Sequence, residues 1–180
     1  CLSRGLGDVY KRQVKRNVNF QVETVSPTAF IEPLTKDLNI PEDVKTAAGR
    51  LAYWLYTKGY TSGKSRRKLA LSCVYVIGRL MDYDITLKQL ASVSHMLETS
   101  VRYENRYVFS VLKGVNYKCK HCGALVERFV NVGQDFFGLR KPSEVKALYP
   151  SCPSYGKDLE VEIDFGNGMK LSDFTLGGNP

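Results

Sequence analysis

The chain has 180 residues, enough for one ordinary domain or two small ones, and its composition of 43% hydrophobic and 24% charged residues is that of a globular protein rather than a disordered or fibrous one. Its most apolar stretch, Leu69 to Met81, is interrupted by Ser72, Gly78 and Arg79 and is too short to cross a bilayer, so no membrane partner is expected. The net charge of +8 is uneven: +2 in residues 1–13, +6 in 14–114 and zero in 115–180, which puts the excess where a polyanion would meet the helical part of the chain.

Residues 1–13 lack an initiator Met and read as translated sequencing-adaptor sequence, with 14–25 as a linker; the expectation is a fragment whose natural chain extends further N-terminally. Five helices follow in 26–114. Ser26 caps the first, with Pro27 at its first position, where a missing N–H costs nothing. Its apolar face is Phe30, Ile31, Leu34 and Leu38, and Pro33 weakens or kinks it. The second starts at Asn39–Pro41 and repeats Val44, Ala47, Ala48, Leu51 and Leu55 at helical spacing, with Gly59 as its stop. After a loop over 60–65, the third helix carries Leu69, Cys73, Val76, Ile77 and Leu80 on one stripe. Apolar residues also flank that stripe, so this is the expected central helix.

Asp82–Asp84 turns the chain into a helix-turn-helix over 86–113. Thr86 and Gln89 have the spacing of a capping box for its first helix, whose buried face is Leu87, Leu90, Ala91 and Ser94. The second helix opens with Thr99, Ser100 and Arg102 and places Val101, Tyr107 or Val108, and Leu112 inward, leaving Arg102, Arg106 and Lys113 to face out. Arginine at a helix start can donate two parallel bonds to a guanine edge, and Thr99, Ser100 and Arg106 suit base edges or phosphate. The alternative for Arg102 is a surface ion pair with Glu98 or Glu104. The basic run Lys64, Ser65, Arg66, Arg67 and Lys68 at the start of the third helix is either a phosphate contact or a solvated helix start. Gly59 and Gly63 enclose three residues where a phosphate-binding loop needs four, and no strand precedes them, which excludes nucleotide binding of that kind.

Gly114 marks a boundary after which the helical period fades. Residues 124–132 and 159–165 read as strands, 142–148 as a short helix, Gly166–Gly168 as a hairpin turn and 177–180 as a frayed end. Cys119 and Cys122 bracket two residues and precede Gly123, the layout of a knuckle that grips one side of a tetrahedral metal. Cys152 starts a second such turn, with Tyr155 where a fourth cysteine belongs and Gly156 after it. Cysteine and tyrosine codons lie one base apart, so Tyr155 is either a misread codon or a genuine loss. The three cysteines point to structural zinc, with a degenerate ribbon held by packing as the alternative and His121 as a fourth ligand only in a distorted knuckle. Cys73 packs in the helical core, and the cysteine usage fits a reducing compartment. No catalytic set appears, so the chain is not expected to be an enzyme.

Residues 18–114 resemble the second cyclin-like repeat of transcription initiation factor IIB, most closely the archaeal factor B. The resemblance is carried by Ser26-Pro27, Leu38-Asn39-Ile40-Pro41, Gly63-Lys64-Ser65, Ala70 to Tyr75, Gln89-Leu90-Ala91, Ser100-Val101-Arg102 and Arg106-Tyr107. It implies a five-helix cyclin-like domain over 26–114 with a C-terminal helix-turn-helix; with the knuckles and strands read above, which look like a zinc ribbon of rubredoxin type, the expected fold is mainly α, followed over 115–180 by a small β-rich, zinc-ribbon-like module. It also implies binding to the complex of promoter DNA with TATA-box-binding protein, reading of an upstream element through Arg102 with Thr99 beside it, and contact with RNA polymerase through N-terminal parts not present in this sequence. The implied location is the cytoplasm of an archaeon, at the nucleoid, or the nucleus of a eukaryote. His95 departs from the family's turn glycine, and Arg66 stands where proline is frequent. The rival expectation is a cyclin-like adaptor that binds protein and reads no DNA.

Overall fold

The structure, a computed structural model, describes residues 25–130 and 139–175. The readings made above for 1–13, for nearly all of the 14–25 linker, for 131–132 at the end of the first expected strand and for 177–180 lie outside the described residues. The described part is mainly helical, with a small antiparallel sheet at its C-terminal side.

A single 3₁₀ turn, Pro27–Phe30, leads directly into α1, Ile31–Thr35. Ser26 caps it, its Oγ accepting from the Thr28 N–H at 3.4 Å. The expected first helix is therefore split into two short pieces and ends before Leu38. Helix α2 spans Glu42–Thr57 and buries Val44, Ala47, Ala48, Leu51 and Leu55. It stops at Gly59, which takes a φ of +78°, while the Tyr60 N–H returns to the Leu55 carbonyl at 2.9 Å to satisfy one of the last-turn acceptors.

Helix α3, Arg66–Leu80, is the axis of the domain. Ten of its fifteen residues are buried, and it packs against α2 on one side and against α5 on the other. A helix apolar on most of its circumference is stable only when other elements surround it. Helix α4 covers Leu87–Ser94 and α5 covers Glu98–Leu112. The capping box at the start of α4 is formed: Thr86 Oγ1 accepts from the Gln89 N–H at 3.2 Å, and Gln89 Oε1 accepts from the Thr86 N–H at 2.9 Å. His95 takes the left-handed turn conformation with φ 53°.

Gly114, with φ +94°, turns the chain from α5 straight into β1, Val115–Cys119. Strand β2 is Leu125–Phe129, helix α6 is Pro142–Leu148, β3 is Val161–Phe165, β4 is Met169–Lys170 and α7 is Leu171–Thr175. The sheet order is β2-β1-β3-β4, with every pairing antiparallel. β1 alternates buried and half-buried residues, and its buried Val115 and Tyr117 face the helices. The sheet is continuous with the helical core: Tyr117, Leu139, Val145, Ile163, Phe165 and Phe174 belong to the same buried cluster as Leu51, Ile77 and Leu112.

Polar bonds close this seam. Arg79 near the end of α3 donates through Nη2 to the Leu139 carbonyl at 2.8 Å and to Glu144 at 3.2 Å. Arg50 of α2 donates to the Phe174 carbonyl at 3.1 Å. Lys141 pairs with Asp84, and Asp82 accepts from the Ser143 N–H at 3.0 Å. Among the described residues, no helix is long and apolar enough to cross a membrane.

Candidate nucleic-acid interface and thiolate cluster

The helix-turn-helix is built from α4 and α5. In α5, Val101, Glu104, Asn105, Val108, Phe109 and Leu112 turn inward. The opposite stripe holds Thr99, Tyr103, Arg106 and Ser110, which the 100° per-residue rotation of a helix brings onto one face. Thr99 and Ser110 are exposed, Tyr103 is 63% exposed, and Ser100 and Arg106 are half-buried. Leu97, immediately ahead of the helix, is 74% exposed. The start of α5 is thus open to a partner, and no side chain caps it.

Arg102 is held rather than loose. Its Nη2 lies 2.5 Å from Glu98 Oε1 one turn earlier, and its side chain is 26% exposed. The alternative ion-pair reading of this residue is realised, with Glu98 as the partner. The ion pair fixes one edge of the guanidinium and orients the half-buried side chain.

The basic run at the head of α3 is partly committed to internal work. Lys64 Nζ stands 4.1 Å from the Tyr107 ring centre and 5.3 Å from that of Tyr103, a position in which the ring faces attract the cation. Arg67 donates to the Ser94 carbonyl at 3.2 Å, the last turn of α4, where a cation meets the negative end of the helix. Ser65 is exposed and Arg66 half-buried, and neither the Ser65 hydroxyl nor another side chain caps α3. Lys64 and Lys68 also lie near Glu104, a mostly buried carboxyl whose pKa burial pushes up and whose charged form the two lysines favour. The structure therefore brings Lys64 and Arg67 beside the helix-turn-helix and ties α3, α4 and α5 into one surface. Sequence reasoning did not single out Tyr103; an exposed aromatic on the polar stripe of a basic helix is the signal that could have found it.

The second site is sulfur. Cys119 ends β1, Cys122 sits in the turn to β2, and Cys152 lies in the loop after α6. Their Sγ atoms all fall within 4.8 Å of one another, with Cys122 and Cys152 3.6 Å apart. Both turns have the same construction. The Gly123 N–H donates to the Cys119 carbonyl at 2.8 Å, and the Gly156 N–H donates to the Cys152 carbonyl at 3.0 Å, with φ +70° and +61° at the two glycines. Zn–S bonds of about 2.3 Å place tetrahedral sulfurs roughly 3.8 Å apart, so the observed cluster fits one ion. The Cys122 thiol is lowered to about 7, chiefly by the hydrogen bond from the Ser154 hydroxyl, whereas burial raises Cys152. Three close cysteines can therefore hold a metal ion. His121 is apart from them, its Nε2 4.0 Å from Glu160. Tyr155 is 63% exposed.

Comparison with known proteins covers the helical half. Residues 20–108 match the family described as the transcription factor TFIIB repeat. Transcription initiation factor IIB 2 of Saccharolobus solfataricus is 34% identical over 83 residues, which cover 46% of this chain and 28% of that protein. Transcription initiation factor IIB of Pyrococcus horikoshii is 31% identical over 98 residues, covering 53% of this chain and 32% of that protein. The protein of the same name from Haloarcula vallismortis is 26% identical over 102 residues, 57% of this chain and 87% of that sequence. The chain thus spans less than a third of the length of the first two relatives.

Proposed function

We propose a function from one premise: the chain belongs to the transcription factor TFIIB repeat family through residues 20–108. Its helical half is a cyclin-like repeat that binds promoter DNA together with TATA-box-binding protein and reads bases upstream through the helix-turn-helix. Arg102 reads a guanine edge from the outer face of α5, with Thr99 and Ser100 beside it at the open helix start. Arg106, Lys64, Ser65, Arg66 and Arg67 hold phosphates on either side. RNA polymerase is engaged by other parts of a factor of this type. In the sheet-bearing half, Cys119, Cys122 and Cys152 hold structural zinc in a ribbon-like module.

The observation that carries the DNA reading is the face of α5. An exposed helix start, a pre-oriented arginine and two nearby basic residues, Lys64 just ahead of α3 and Arg67 in its first turn, border α5 or the end of α4, in a domain whose excess charge of +6 falls in residues 14–114. A neutral docking face would need none of these. A second reading, a cyclin-like adaptor that binds protein alone, draws support from the internal engagement of Lys64 and Arg67.

An electrophoretic shift on TATA-containing DNA separates the two. The full chain is added to TATA-box-binding protein and DNA at several salt concentrations, beside Arg102→Ala. A supershift that falls steeply with salt, and that loses base preference by about 1–3 kcal/mol in the variant, is expected. A supershift with unchanged base preference in Arg102→Ala would remove Arg102 from base reading. If no shift appears, and fusion to a first repeat of the family does not restore one, the adaptor reading stands.

A further inference from the structure

The fourth corner of the thiolate cluster is where the two knuckles differ. Cys122 and Tyr155 occupy equivalent places, each three residues after the first cysteine of its turn and one before a left-handed glycine. From that place a cysteine, with one atom beyond Cβ, delivers its sulfur to the centre of the cluster. A tyrosine carries its oxygen at the far end of a rigid ring, too far out to arrive at the same point from the same backbone. The ring accordingly points to solvent and is 63% exposed, while Cys152 in the same turn is 2% exposed. His121, the other nearby donor type, is aimed at Glu160. The positions from Pro153 to Asp158 are all exposed, and among the described residues no fourth metal-binding side chain joins the three sulfurs, so the second turn presents this side of the cluster to solvent.

We propose that Cys119, Cys122 and Cys152 hold a thiophilic divalent ion whose fourth position is left open by Tyr155, and that this position takes a small thiol from solution as its thiolate. The proposal rests on the metal reading given above. A sulfur-rich site with a borderline-soft ion selects a soft donor, and a tetrahedral site with three protein ligands keeps one exchangeable place. On binding, the thiol gives up its proton to solvent and its sulfur forms the fourth bond to the ion; nothing is oxidised or reduced. Among the described residues, the substitution Tyr155→Cys is the change that would put a fourth sulfur at the equivalent place of the second turn.

The test uses the full chain, kept reduced with a phosphine so that no thiol competes, and loaded with Co(II). Sulfur-to-cobalt charge-transfer absorption counts bound thiolates. Wild type should show a three-thiolate spectrum that rises by about one third, saturably, as 2-mercaptoethanol is added, a ratio of about four to three set by tetrahedral coordination. Tyr155→Cys should show the higher absorption from the start and ignore the added thiol, and Tyr155→Phe should behave as wild type. Cobalt bound by wild type with no response to thiol would overturn the open position. So would a spectrum altered by Tyr155→Phe, since the phenol would then be the ligand. Absence of cobalt from wild type, with uptake by Tyr155→Cys, would show that three thiolates do not suffice. Absence from both would remove the metal reading itself. If Tyr155→Cys fails to fold, the thiol titration of wild type and Tyr155→Phe still decides.

Discussion

Arg79→Met should test whether the helices and the sheet are one folding unit. The guanidinium of Arg79 donates twice to the Leu139 carbonyl, from Nε at 3.3 Å and from Nη2 at 2.8 Å, and also reaches Glu144. Leu139 is 3% exposed, so the substitution leaves a buried acceptor without a donor among the described residues. Methionine keeps most of the aliphatic stem packed against the seam, which confines the loss to the polar head. An orphaned buried carbonyl costs about 1–3 kcal/mol. The Glu144 side chain is 45% exposed, so its ion pair adds under about 1 kcal/mol. The expected loss is about 1–4 kcal/mol in urea unfolding. Glu144→Gln should cost less than about 1 kcal/mol, because Gln still accepts from the Lys141 N–H that Glu144 now caps. Far-ultraviolet circular dichroism follows the whole chain, and Trp54, the only tryptophan, reports on α2. With a shared core the two signals should move together in both wild type and variant. A loss below about 0.5 kcal/mol, or a Trp54 transition that ignores the substitution, would refute the reasoning.

Three further substitutions probe local claims. Thr86→Ala removes both hydroxyl bonds of the capping box and should lower stability by about 0.5–2 kcal/mol in thermal or urea melts, whereas Thr86→Ser should be close to neutral. His95→Gly should raise stability by about 0.5–1 kcal/mol, because the turn holds a left-handed φ of 53° that glycine adopts without a Cβ penalty. A destabilised His95→Gly would show that the imidazole makes a contact worth more than the strain. Gly114→Ala should be severely destabilising, seen as little folded protein by circular dichroism: a Cβ there would stand 2.6 Å from the Phe129 carbonyl oxygen, at a φ of +94°.

Much of the helical half was legible because its burial repeats at the helical period and its ends carry their own chemistry. Val44 through Leu55 recur every three or four residues, Gly59 supplies the left-handed stop, and Thr86 and Gln89 announce a helix start three residues apart. The first helix was less legible, since Pro33 inside a short segment favours splitting into a 3₁₀ turn and a single α turn. Strand β1 carries an alternating signal that the sequence reading above leaves unused: Val115, Tyr117 and Cys119 are buried and Asn116 and Lys118 are polar, but the run is five residues long and follows directly on a helix. It is fixed by pairing on both edges, with β2 as its neighbour in the chain and with the distant β3. Helix α7 is five residues long and is set by burial of Phe174 against α2 and Phe165, a tertiary fact with no local period. The cysteine spacing marked the two knuckles, but only the fold brings the second one onto the first.

The charged side chains beside α4 and α5 also bear on the rigidity of the surface to which DNA reading is assigned under the proposed function. Three kinds of contact tie α4 and α5 to the chain that precedes them. Arg67 fixes the end of α4 from α3, the Tyr107 hydroxyl donates to the Tyr60 carbonyl at 2.6 Å, and Lys64 lies against the Tyr103 and Tyr107 rings. Each joins α5 or α4 to the α2–α3 loop or the head of α3, so the basic run belongs to the scaffold as well as to the charged face. Lys64→Met should therefore disturb two things that a phosphate contact alone would not couple: the salt dependence of DNA binding, lowered by roughly one counterion, and the stability of the free protein, lowered by about 0.5–1 kcal/mol through loss of the cation–ring contact. Loss of DNA affinity with unchanged stability would make Lys64 a phosphate contact only, and loss of stability with an unchanged salt slope would make it scaffold only.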